Sequence, residues 1–127
     1  YPGIIELLRE LKKHNIKMGI ATNKVKSAAD KLNEIYFEGL IDEVAGVEDG
    51  IIPKPDRCMI DNLMKRLNAT TDETLYVGDS QVDVATARNT GLDMVAVLWG
   101  FRTRKELEES GAMVFIDDPM EILDKVL

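Results

Sequence analysis

The run Leu75-Tyr76-Val77-Gly78-Asp79-Ser80-Gln81-Val82-Asp83 decides the fold. Leu75 to Val77 is continuously apolar, as expected of a short strand buried on both faces of a parallel sheet. Gly78 ends it. Val82 to Asn89 then reads as a helix that stops at Gly91, and Met94-Val95-Ala96-Val97-Leu98 is a second buried strand. Strands alternating with helices give an open α/β sheet.

The alternation continues in both directions. Upstream, Ile60, Leu63, Met64 and Leu67 have helical spacing, and Val44 to Val47 is a weak strand closed by Glu48-Asp49-Gly50. Val25 to Ile35 reads as a helix. Ile16 to Ala21 reads as a strand that stops at Thr22-Asn23, and Ile4, Leu7, Leu8 and Leu11 line one face of an amphipathic helix after Pro2-Gly3. His14 decorates the end of that helix. Downstream, Thr103 to Glu109 opens with a capping-box pattern, Thr103-x-x-Glu106. Met113 to Ile116 is a last short strand, before a helix opened by Asp118-Pro119.

Composition narrows the function. At 127 residues the chain has the size of one domain, and 45% hydrophobic with 31% charged residues excludes a disordered polypeptide. Sixteen basic against twenty-three acidic residues leave a net charge of −7, which repels phosphate backbones and argues against a nucleic-acid partner. No apolar run approaches the roughly 20 residues that cross a bilayer, so no membrane partner is expected. A single cysteine, Cys58, forms no internal disulfide and fits a reducing, cytoplasmic compartment. The first residue is Tyr1, not Met, and no charged-then-apolar leader is visible, so the chain reads as a fragment.

Ligands of open α/β sheets bind at the carboxyl ends of the strands, and three such ends carry unusual residues. At Thr22-Asn23-Lys24, free backbone N–H groups and the Thr22 hydroxyl suit an anion, though Thr22 or Asn23 serves equally as a helix cap. In Ile52-Pro53-Lys54-Pro55 a lysine is displayed from a loop stiffened by two prolines. It either neutralises a phosphate or is merely solvated. After Gly78, Asp79 and Asp83 stand four residues apart, with both carboxylates on one side of a helix start. Two anions so placed favour a bridging cation, and oxygen ligands favour Mg²⁺. The competing reading is an ordinary helix N-terminus, with Asp79 or Ser80 as its cap. Trp99-Gly100-Phe101-Arg102 follows a strand and either faces the same cleft or packs structurally.

A strand-end Thr, a Lys in a Pro-rich loop and Gly-Asp-x-x-x-Asp, in this order, resemble the haloacid dehalogenase superfamily. The phosphoglycolate phosphatase-like branch is the most similar, through Val77 to Ala87 and Trp99-Gly100-Phe101-Arg102-Thr103. The resemblance covers nearly the whole chain, with Tyr1-Pro2-Gly3 resembling the return from a helical cap domain. It implies a three-layer, Rossmann-like parallel sheet with helices on both faces, belonging to the C-terminal core of a phosphatase for a small organophosphate. It also implies that Thr22 and Asn23 hold the phosphoryl group, that Lys54 neutralises it, and that Asp79 ligates Mg²⁺ with Asp83 beside it.

Members of the superfamily also carry a central strand ending in Asp-x-Asp, whose first Asp attacks phosphorus, and a cap. Neither motif nor cap is found in these 127 residues. Residues 1–127 are therefore expected to be a partial core domain, inactive alone as a phosphatase that works through a phospho-aspartyl intermediate. The flanking strands then either pair directly, accept a strand from another chain, or are complemented by the missing N-terminal segment, and self-association through exposed edges makes a homo-oligomer an expected outcome. Two further readings stand beside this one. One is a non-catalytic binding or regulatory module derived from such a phosphatase. The other is a phospho-acceptor receiver domain, whose acids would have to precede the Thr and Lys, whereas Asp79 and Asp83 follow them.

Overall fold

The computed structural model describes residues 2–100 and 102–127. Tyr1 and Phe101, both named in the motifs above, lie outside the described residues. In chain order the elements are α1 (Ile4–Lys13), β1 (Gly19–Val25), α2 (Lys26–Tyr36), β2 (Glu43–Val47), α3 (Cys58–Leu67), a 3₁₀ turn (Thr71–Glu73) and β3 (Leu75–Gly78). They continue with α4 (Gln81–Thr90), β4 (Asp93–Val97), α5 (Arg104–Glu109), β5 (Phe115–Ile116) and α6 (Glu121–Val126). All strand pairs are parallel. Among the described residues no helix is long and apolar enough to cross a membrane.

Side-chain alternation along the strands sorts the helices into two layers. Val44, Val95, Val97 and Ile116 point to one face, where Leu7, Leu8 and Leu11 of α1, Ala29 of α2 and Ile122 of α6 cover them. The intervening Ala45, Tyr76 and Ala96 point to the other, under Met59, Ile60 and Leu63 of α3, Val84 and Ala87 of α4 and Leu107 of α5. The fold is the expected three-layer α/β arrangement. Helix ends follow their local chemistry. Gly91 ends α4 at φ 76°, and Thr103 and Glu106 complete the capping box of α5.

Three strand expectations need correction, the simplest being the last strand, which is only Phe115–Ile116 and not Met113 to Ile116. The first strand runs from Gly19 to Val25, not from Ile16 to Ala21. Ile16 N–H still donates to Leu11 O behind α1, and Met18 N–H donates sideways to Asp42 Oδ2, so pairing with β2 starts only at Gly19. Val77 is also not buried on both faces but 41% exposed. The reason lies in the sheet, whose ladders form two groups, β1-β2 and β3-β4-β5. Direct β1–β3 pairing, one of the expected closures, is not formed. Side chains join the groups instead, with Ile20 and Leu75 in one shared core and Ala21 packed with Tyr76 in another.

Candidate active site

The carboxyl end of β1 is built by a bulge. The ladder pairs Ala21 with Ala45 and resumes at Val25 with Val47, so Thr22, Asn23 and Lys24 stand opposite Gly46 alone. The bulge brings backbone so close that a Cβ on Gly46 would lie 2.7 Å from Lys26 Cα, which is why that position has no side chain. Thr22 and Asn23 thus sit inside the strand's irregular end, not beyond it. Thr22 Oγ1 accepts from Lys24 N–H at 3.2 Å. Asn23 reaches across to the proline-bounded loop. Its Oδ1 accepts from Lys54 N–H at 2.8 Å and its Nδ2 donates to Lys54 O at 3.0 Å. From the other side, Asn89 Nδ2 of α4 donates to Pro55 O at 2.8 Å. The loop is therefore fixed by backbone contacts, leaving the lysine side chain directed by its own partners.

Those partners lie at the end of β3. Lys54 Nζ donates to Asp83 Oδ1 at 2.8 Å, and both side chains are almost buried, at 11% and 9% exposure. Tyr76 Oη donates to the same oxygen at 2.7 Å. The other oxygen, Asp83 Oδ2, accepts from Asp79 N–H and Ser80 Oγ, each at 3.0 Å. Burial alone would raise the Asp83 pKa, but the Lys54 hydrogen bond and charge, with Tyr76 and the Asp79 backbone, hold it below the ordinary carboxylate value. Burial, then the Asp83 charge, pushes the Tyr76 hydroxyl upward, so it remains a donor. Ser80 caps α4, its Oγ accepting from Asp83 N–H, so the capping reading holds for Ser80 while Asp83 does something else.

Asp79 has the opposite electrostatics. Burial first, and then the neighbouring Asp83 charge, raise its pKa, with Lys54 only partly offsetting them. Its carboxylate lies against the loop after β4, where a Cβ on Gly100 would come within 2.6 Å of Asp79 Oδ2. A half-buried carboxylate beside a second one is suited to a divalent cation. Asp83 has both oxygens doubly engaged, so Asp79 is the better candidate for direct ligation. Among the described residues no three acidic, His or Cys side chains converge on one point.

Four of the five expected site residues thus form one linked chain, from Asn23 through Lys54 and Asp83 to Asp79, with Thr22 adjoining Asn23. Sequence reading missed Tyr76, because a tyrosine inside an apolar strand run registers as core. The tight approach that Gly78 allows is legible in the sequence, but that its partner is Asp83, and that Gly100 lies against Asp79, becomes visible only in three dimensions.

The family model for haloacid dehalogenase-like hydrolases matches residues 1–97. The chain belongs to that family. It is 36% identical over 121 residues to a phosphoglycolate phosphatase of Rhodospirillum rubrum, covering 93% of this chain and 49% of that protein. It is 30% identical to the pyrophosphatase PpaX of Bacillus mycoides, covering 97% of this chain and 58% of that one. A solved protein of Lactobacillus delbrueckii subsp. bulgaricus, provisionally named a phosphoglycolate phosphatase, superposes with a TM-score of 0.95 at 35% identity. That match covers 100% of this chain and 53% of the solved one. The chain spans about half the length of the curated relatives it matches.

Proposed function

We propose that this chain forms the phosphate-neutralising and metal-holding side of a Mg²⁺-dependent phosphatase site for a small, phosphoglycolate-like organophosphate. The observation that carries the reading is the Lys54 ammonium, fixed by Asp83 at the end of β3 on a loop that Asn23 clamps to the end of β1. An ammonium has three N–H donors. Two are given to Asp83 and Tyr76, so the charge and one donor remain for a phosphoryl oxygen. Thr22 and the backbone N–H groups of the β1 bulge offer further donors, with Asn23 steadying both the bulge and the lysine loop. Asp79 holds the metal, which when bound withdraws charge from the phosphoryl oxygens. Similarity to phosphoglycolate phosphatases supports the size and class of substrate.

The attacking carboxylate of a phospho-aspartyl route comes in this reading from an Asp-x-Asp strand seated between β1 and β3. Such a strand belongs either to a longer form of the same polypeptide or to a separate chain, since a second copy of these 127 residues carries no Asp-x-Asp. The exposed Val77 on β3 supports that seat. The 127 residues alone are then inactive, in a protein we place in the cytoplasm. Titrating inorganic phosphate with Mg²⁺ while following backbone amide resonances tests the cradle. Shifts are expected at residues 22–24, 54 and 78–83, and shifts confined elsewhere overturn it. Turnover of p-nitrophenyl phosphate that survives repurification and disappears in Asp79→Ala would overturn the placement of the nucleophile outside this sequence.

A further inference from the structure

We infer that Tyr76 is a positioning residue, whose buried hydroxyl holds the Lys54 ammonium in one orientation by bonding both to Lys54 and to the carboxylate that pairs with it. Three contacts close a triangle. Lys54 Nζ donates to Asp83 Oδ1 at 2.8 Å, Tyr76 Oη donates to the same oxygen at 2.7 Å, and Lys54 Nζ donates to Tyr76 Oη at 3.3 Å. A lone ion pair leaves an ammonium free to rotate about one contact, because its three donors are equivalent. The second acceptor removes that freedom. Two N–H groups are then committed inward, and the third is directed by geometry instead of by solvent.

Tyr76 is suited to this task by its place. It is 9% exposed, its ring is wedged among Ile60, Ala87 and Leu92, and β3 fixes its backbone against Met94 of β4. Phenylalanine would fill the same core. The hydroxyl is therefore surplus to packing, and a buried hydroxyl persists only when hydrogen-bonded. Lys54 Nζ also lies 6.0 Å from the ring centroid, within the range of a cation–π attraction that Phe would retain. Only the hydroxyl distinguishes the two residues at this site. The use of the lysine's outward donor rests on the phosphatase reading above, whereas the triangle itself does not.

The test observes the lysine directly. In the chain labelled with ¹⁵N-lysine, the Lys54 ammonium is expected to give a hydrogen-bonded ¹H–¹⁵N signal that exchanges slowly with water. Tyr76→Phe should speed that exchange several-fold and weaken inorganic phosphate binding by a similar factor. Ile60→Val, which loosens the same core cluster, should lower stability without moving the ammonium signal. An ammonium signal unchanged in Tyr76→Phe, or moved equally by Ile60→Val, overturns the inference. If Tyr76→Phe does not fold, biosynthetic 3-fluorotyrosine keeps ring and hydroxyl while altering the donor, and an unshifted Lys54 ammonium resonance then overturns it. Failure of the wild-type chain to bind phosphate counts against the phosphatase reading, while the ammonium signal decides the role of Tyr76.

Discussion

The ends of β1 and β3 grip the same lysine loop by different forces. At β1 the grip is neutral and exposed, an amide side chain exchanging two hydrogen bonds with the Lys54 backbone. At β3 it is charged and nearly buried, the ammonium against a carboxylate that has four donors around it. A neutral clasp sets where the loop lies and responds little to pH or salt. A buried pair sets where the charge lies, and it binds the site to the protonation state of one acid. This division suits phosphate chemistry, in which the backbone must be placed and the cation must also be aimed.

The largest break in the comparison is Asp83→Ala. It strands the Lys54 ammonium in a nearly dry site, and breaking one partner of a buried pair costs about 3–5 kcal/mol. Urea unfolding of the two proteins measures it directly, and a loss below about 1 kcal/mol would show that solvent reaches the pair. Gly78→Ala should come next. Its Cβ would lie 2.4 Å from Asp83 Cβ, an atom close to the backbone and unable to swing away, so overpacking of about 1–3 kcal/mol is expected. Its amide spectrum should change at Asp83 before it changes anywhere in β1. Asn23→Ala should cost less, about 1 kcal/mol, because both lost bonds are neutral and exposed to water. Its effect should be the same at low and high salt, whereas the Asp83→Ala penalty should not.

How much of this was legible in the sequence differs between the same two regions. The β3-α4-β4 unit is read almost to the residue, because its apolar runs are continuous and Gly91 marks the helix end unambiguously. The two acids and the lysine are visible as residues with costly chemistry. The β1 end is misread, since its extension past Ala21 depends on a bulge that exists only because Gly46, far along the chain, admits the backbone. The Asn23–Lys54 clasp is likewise invisible, being a contact between loops with no periodic signature. Asp83 reads as a metal ligand on spacing alone. Nothing local reveals that Lys54 and Tyr76 occupy one of its oxygens.

The smallest expected effect is the most diagnostic, because it has opposite signs for the two acids. The folded-state pKa of Asp83 lies below its ordinary value of 3.8, so its contribution to stability is present above that value and is lost as pH falls through the folded pKa. The folded-state pKa of Asp79 lies above 3.8, chiefly through burial and then through the Asp83 charge. Between 3.8 and that raised value the folded chain binds more protons than the unfolded one, so stability falls with rising pH. At neutral pH without divalent cations the Asp79 charge therefore destabilises the fold. Asp79→Asn should make the chain slightly more stable at pH 7, with the advantage shrinking as pH falls toward 3.8. Magnesium should then reverse the order, raising the melting temperature of the wild-type chain and leaving that of Asp79→Asn unchanged. Thermal unfolding of both proteins at pH 7 and at pH 4, with and without Mg²⁺, tests each of these expectations. An Asp79→Asn protein that is less stable at pH 7 in the absence of metal would mean that Asp79 has a compensating partner at the end of β3, and the contrast between the two acids would be lost.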